Sequence, residues 1–227
     1  RALCGGCYTR NMVVELCKER TVMSQFLAEM RDVEVQRDPM RFRRNLERMG
    51  AIFAHELSRT LEYVEREVTT PLGVAHAPML AEQPVLATIL RAGLPLHNGM
   101  LSVFDRADNA FVSAYRKHRK GEDGFDIEVE YLSSPDLEDR VLVICDPMLA
   151  TGQSMVLVYR ALLRLGRPKA VHVVSVIASA EGVEYTRKHL PVGTRIWVGC
   201  IDEEMTAQAY IVPGLGDAGD LAYGHKR

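Results

Sequence analysis

Residues 141–154, VLVICDPMLATGQS, carry an apolar strand-like run into an acid and then into a small-residue turn before a helix begins. That order suits a phosphate. The amides of Ala150, Thr151, Gly152, Gln153 and Ser154 would converge at a helix N-terminus, where unpaired N–H groups and the helix dipole favour an anion. The hydroxyls of Thr151 and Ser154 add donors. Asp146, at the carboxyl end of the strand, is placed to hold ribose hydroxyls directly or through a metal-bound water, because ligands gather at the carboxyl ends of parallel strands. No Gly-Lys-[Ser/Thr] follows, so this is not a Walker P-loop, and it is not a G-x-G-x-x-G dinucleotide fingerprint. Taken as spacing alone, the same residues also make an ordinary strand–turn–helix with a capping Thr.

Two further stretches could do related chemistry. In 86–94, LATILRAGL, another strand opens into a turn, and Arg91 with the Ala92-Gly93 amides suits a diphosphate. Alone, Arg91 would read as a solvated charge after a strand. In 210–220, YIVPGLGDAGD, three glycines and one proline in eleven residues argue against a helix or strand and for a shaped loop. The run Arg116, Lys117, His118, Arg119 and Lys120 admits a nucleic-acid reading, but it is short and lacks interleaved aromatics.

The segment Asp146-Pro147-Met148-Leu149-Ala150-Thr151-Gly152 resembles the type I phosphoribosyltransferases. It is most similar to their uracil branch, in which Pro147 stands where many members carry a second acid. Gln153 departs from the Gly common after Thr-Gly, which implies a less close approach to the phosphate there. By the resemblance, residues 146–154 and Arg91 bind 5-phosphoribosyl diphosphate, with Arg91 on the pyrophosphate loop. Tyr115-Arg116 looks like the start of the family's flexible loop, where the Arg reaches the diphosphate; the residues after it depart from the usual Asn-Glu. YIVPGLGDAGD is similar to the family's base pocket. Backbone groups at Ile211, Gly216 and Ala218 would read the uracil edge, and Asp217 would contact the phosphoribosyl substrate beside it. Backbone readout suits uracil, which offers two carbonyl acceptors and an imide N–H to main-chain groups.

The resemblance implies transfer of the 5-phosphoribosyl group to N1 of uracil, with Arg91, Asp146 and Asp217 as the catalytic set. It implies Mg²⁺ bound mainly through the diphosphate, a homodimer or higher homo-oligomer, and closure of residues 116–132 over the site. GTP activates some relatives and is admitted here. Other readings are a phosphoribosyltransferase for another base, a pyrimidine-nucleotide-sensing regulatory or RNA-binding protein on the same fold, and a catalytically lapsed homologue.

The elements that must position these residues follow from periodicity. Asp38-Pro39 opens an amphipathic helix with Phe42, Leu46, Met49, Phe53, Leu57, Leu61 and Val64 at steps of three and four, expected over 39–66. With a shorter helix through Val22, Phe26, Leu27 and Met30, it makes the first seventy residues or so mainly helical, a cover or an oligomer-forming arm. From Pro84 onward, apolar runs at 85–90, 110–115, 141–145, 171–178 and 196–201 read as buried strands, and 126–132 as a half-exposed one. Helices are expected at 152–165 and 181–189, and a mobile loop at 116–124. Alternating strand and helix predicts an α/β fold with a doubly wound, mostly parallel sheet, an N-terminal helical arm and a C-terminal base-binding hood. No linker divides residues 1–227, which read as one domain.

Composition excludes several classes. The 28 basic and 30 acidic residues give no global field for long nucleic acid. No apolar run reaches the roughly 18 residues of a membrane span, and no signal peptide is evident, so a cytoplasmic place is expected. Five cysteines do not form a disulfide framework. Cys4 and Cys7 form a C-x-x-C without a second pair to complete a zinc site. Residues 1–11 read as a loose extension.

Overall fold

Neighbouring residues along the central strands point into different cores, as a two-residue repeat requires of a sheet covered on both faces. Leu86, Val143, Val174 and Trp197 join one core; Val85, Ala87, Leu142, Ile144, Val173 and Ile196 join the other. The computed structural model describes residues 12–118 and 125–225, with backbone alone at 115–118 and 125–128.

The chain runs through β1 (Met12–Glu15), α1 (Val22–Arg31), α2 (Pro39–Ser58), β2 (Tyr63–Thr70), β3 (Gly73–Leu80), β4 (Val85–Leu90), α3 (Leu94–Leu101), β5 (Asp108–His118) and β6 (Phe125–Ser133). It continues through β7 (Val141–Cys145), β8 (Met148–Leu149), α4 (Gln153–Leu162), β9 (Ala170–Ser179), α5 (Ala180–His189), β10 (Arg195–Asp202), β11 (Glu204–Met205), β12 (Ile211–Val212) and α6 (Ala218–Tyr223). The main sheet has the order β1-β10-β9-β7-β4-β5-β6, with β8 also beside β9. Its pairings are parallel except β5 with β6. One core lies under α1, α2, α3 and α6, the other under α4 and α5. The expected α/β architecture with a mostly parallel sheet is therefore the observed one.

Local sequence explains where the first helices start. Thr21 caps α1 by accepting from the Met23 amide, and Asp38 caps α2 by accepting from Met40 N and Arg41 N at 2.9 and 3.1 Å, with Pro39 in the first turn. Phe42, Leu46, Met49, Phe53 and Leu57 are fully enclosed in the chain's own core. Thus α2 acts as a cover, and its apolar stripe is not available to a partner.

Two expectations are corrected here. The helix stops at Ser58 rather than reaching 66, because YVEREVTT at 63–70 carries branched residues in alternation and pairs antiparallel with β3. That hairpin projects with nearly all its residues exposed, Leu72 at its tip and Val64, Val68, Val74 and Met79 among them. The described part of the first seventy residues is mainly helical, as expected, through α1 and α2, and it also contributes β1, an edge strand pairing parallel with β10. The expected loop at 116–124 is strand through His118, and 125–132 belongs to β6, which pairs antiparallel with β5; residues 119–124 lie outside the described residues.

Candidate active site

The phosphate-suited turn sits where β7 ends beside β9. The Asp146 amide donates to the Val174 carbonyl at 3.1 Å, and the Pro147 carbonyl accepts from Val176 N and Ile177 N, both at 3.0 Å. Met148 and Leu149 then form β8 against Ile177 and Ala178. The sheet therefore carries the acid and the turn out to the rim. Gly152, at φ +75°, lies in the left-handed region that favours glycine and leads directly into α4, where it supplies no capping side chain. The turn is braced from behind by the start of α5. The Ser179 hydroxyl donates to the Ala150 carbonyl at 2.5 Å and accepts from the Gly182 amide at 2.8 Å. A Cβ on Gly182 would lie 2.2 Å from the Ala150 oxygen, so only glycine lets α5 approach this closely.

The second turn follows β4. Arg91 reaches across to the C-terminal segment, its Nη2 donating to Asp220 Oδ1 at 2.8 Å and to the Gly224 carbonyl at 2.7 Å. A guanidinium suited to a diphosphate is thus held by a carboxylate on α6. The third wall is the segment expected to be a loop. It is a loop only in part: Ile211–Val212 pairs with β11, and Asp217 caps α6 by accepting from the Asp220 amide at 2.9 Å. Arg43, on α2, donates to the Ala222 carbonyl at 2.6 Å and ties α6 to the cover helix.

These walls enclose a cavity of about 440 Å³ at the carboxyl ends of β4 and β7. Arg91, Asp146, Met148, Leu149, Ala150, Thr151, Gly152 and Ser154 line it together with Gly216, Asp217 and Ala218. Pro147 and Ile211 are buried behind the lining, and the Gln153 side chain is exposed outside it. Arg116 lies on β5 opposite Ile127, in the part of that strand described by backbone alone. Sequence reasoning did not name Gln208, Ala209 and Tyr210, which also line the cavity, or Asp220, which holds Arg91. Tyr210 stood at the head of the glycine-rich segment and could have been included. Nothing local marks Asp220 as the partner of a residue 129 positions away. Cys4 and Cys7 lie outside the described residues.

Desolvation at the cavity floor raises the Asp146 pKa to about 7; the Met148 amide opposes this and the Asp217 carboxylate adds to it. Among the described residues no group of three or more His, Cys, Asp or Glu side chains could hold a metal ion. The arrangement places a helix start whose free amides suit an anion, the acid Asp146 and a backbone-rich wall around one space.

Comparison with known proteins gives the same picture. Residues 17–225 match the family model described as uracil phosphoribosyltransferase. A uracil phosphoribosyltransferase of Porphyromonas gingivalis is 54% identical, covering 94% of this chain and 99% of that one. Another from Methanothermobacter thermautotrophicus is 40% identical over 82% of this chain and 85% of its own. Among solved structures, the AQ2163 protein from Aquifex aeolicus superposes with a TM-score of 0.82 at 30% identity, covering 94% of this chain and 98% of that one. With the family model spanning nearly the whole chain and the parallel sheet presenting the family's motifs at one cavity, the chain belongs to the uracil phosphoribosyltransferase family.

Proposed function

We propose that this chain transfers the 5-phosphoribosyl group of 5-phosphoribosyl diphosphate to N1 of uracil, giving UMP and pyrophosphate. The observation that carries the reading is a single cavity lined at once by the 146–154 turn, by Arg91 and by the 216–219 segment. In the reaction the C1′–O bond to the diphosphate breaks, its electron pair leaves with pyrophosphate, the C1′–N1 bond forms, and the N1 proton is lost. The amides of 150–154 hold the 5′-phosphate, Asp146 takes the ribose hydroxyls, and Arg91 and Arg116 meet the diphosphate, where negative charge grows. Leu149, Met148 and Pro147 shape the turn, with Gln153 and Ser154 at the start of α4. Backbone groups at Ile211, Gly216 and Ala218 orient uracil, with Asp217 between base and sugar.

The carboxylates of Asp146 and Asp217 on the cavity lining fit Mg²⁺ brought in with the diphosphate; they would help hold it, and it would stabilise the leaving group. The reading takes the chain as a single catalytic domain acting in the cytoplasm; among the described residues no helix is long and apolar enough to cross a membrane. A homo-oligomer belongs to the same reading. The exposed β2–β3 hairpin supports it, since a two-stranded ribbon gains little stability in water alone. Light scattering would give the number of copies, and initial rates with and without GTP would test activation.

The deciding experiment is UMP formation from uracil and 5-phosphoribosyl diphosphate with Mg²⁺, beside Asp146→Asn and Arg91→Ala. Turnover in the parent with large losses in both variants supports reaction and site together. A folded parent without turnover, or one that binds RNA instead in a salt-sensitive way, would overturn the enzymatic reading.

A further inference from the structure

Arg31 does not line the cavity, yet it holds the base-side wall at both ends. It is the last residue of α1. Its Nη1 and Nη2 donate to Asp202 Oδ2 and Oδ1, both at 2.8 Å, and Nη1 also donates to the Gly214 carbonyl at 2.9 Å. The Gly214 amide closes the ring by donating to Asp202 Oδ2 at 3.0 Å. Asp202 ends β10, where the chain leaves the sheet, and Gly214 precedes the 216–219 segment that faces the cavity. One guanidinium therefore joins the departure of this segment from the sheet to its turn into the site.

The pair is enclosed enough for geometry to matter. The Asp202 side chain is 6% exposed, and burial alone would raise its pKa; the Arg31 bonds and the Gly214 amide outweigh that and hold it below the ordinary value. A buried carboxylate with these partners has one favourable arrangement, and losing the fork leaves it without its cation. The segment after Arg31 backs the same wall. Gln36 Nε2 donates to the Arg31 carbonyl at 3.1 Å, and its Oε1 lies 4.0 Å from where a Cβ on Gly216 would sit. Ile211 and Leu215, on either side of the turn, are buried in the core under α1 and α2.

We infer that the Arg31–Asp202 pair is a positioning device for base recognition: it sets where the 216–218 backbone stands and thereby governs affinity for uracil, without touching the base. The inference rests on the uracil reading above. It separates the two substrates, because the 150–154 turn is braced by Ser179 and Gly182 and shares no hydrogen bond with Arg31.

The test is steady-state kinetics of the full chain with each substrate varied in turn, for the parent, Arg31→Lys, Arg31→Ala and Asp202→Asn. Lysine keeps the charge but loses the fork. Arg31→Lys should raise the KM for uracil by about tenfold relative to the KM for 5-phosphoribosyl diphosphate, the size expected for losing bonds to a buried charge. Arg31→Ala should raise it further. If Arg31→Ala fails to fold, Arg31→Lys and Asp202→Asn decide. A ratio of the two KM values within about threefold of the parent's, whether neither changes or both rise together, would overturn the inference and leave Arg31 a general stabiliser. A parent that makes no UMP is seen before any variant is compared, and it removes the uracil reading itself.

Discussion

On the phosphate side of the cavity, one run from Asp146 to Ser154 supplies the acid, the turn and the helix start, and its supports, Ser179 and Gly182, come from the adjoining β9–α5 corner. On the base side, the 211–224 segment is held by Arg31, Arg43 and Arg91, which lie 183, 179 and 129 positions from their partners Gly214, Ala222 and Asp220. The first wall is nearly self-contained, whereas the second is assembled by guanidinium groups from three separate elements. The contrast assigns different consequences to distant substitutions. Changes in α1 or α2 should reach the base and spare the phosphate.

The strongest way to break the comparison is at the shared acid. Asp146→Asn should lower kcat/KM by about 10- to 100-fold, the range for losing charge-assisted bonds to a substrate, with the folded state unchanged by circular dichroism. Gly182→Ala attacks the phosphate wall from behind. The added Cβ would overlap the Ala150 carbonyl, so thermal unfolding should show a loss of about 1–3 kcal/mol, and the KM for 5-phosphoribosyl diphosphate should rise while that for uracil holds. An equal rise in both would mean that the walls are coupled after all.

Asp220→Asn probes the contact between Arg91 and the base-side segment. On the proposed reading of Arg91 the carboxylate competes with the diphosphate, and the pair is part-exposed, so its removal should lower the KM for 5-phosphoribosyl diphosphate by only about two- to fivefold. An increase would show that Asp220 orients Arg91 instead of restraining it.

A last probe is pH, through the protonation of Asp146. Asp146 binds its proton more tightly in the folded chain, with a pKa of about 7, than in the unfolded chain at about 4. Between those values the native state carries the extra proton, so this group's contribution to stability is greatest at low pH and declines as pH rises toward 7. Melting temperatures of the parent and Asp146→Asn should therefore diverge in the variant's favour from pH 5 to pH 8. Activity should run the other way, kcat/KM rising through about pH 7 as the carboxylate becomes an acceptor for ribose hydroxyls.

Much of this was legible in the amino-acid order. Buried strands at 85–90 and 141–145 have those bounds in the structure, and Asp38-Pro39 opens α2 as their chemistry requires. The phosphate turn was legible because its acid, small residues and helix start are contiguous. The β2–β3 hairpin was missed because Leu61 and Val64 continue the helical spacing by coincidence, while the alternation in 63–70 was short and lay in a polar context.

What the sequence determined alone was the set of segments whose conformation depends on near neighbours: the strands, the capped helices, the left-handed Gly152 and the 146–154 turn. What only the tertiary structure decided was the base-side wall. Its glycines and proline specify that it must bend, but not where it stands. That is set by Arg31 meeting Asp202, Arg43 meeting Ala222 and Arg91 meeting Asp220, contacts between residues too far apart for any local pattern to encode. Guanidinium contacts of this kind are directional, and the fold must bring both members together before either can be recognised as part of the site.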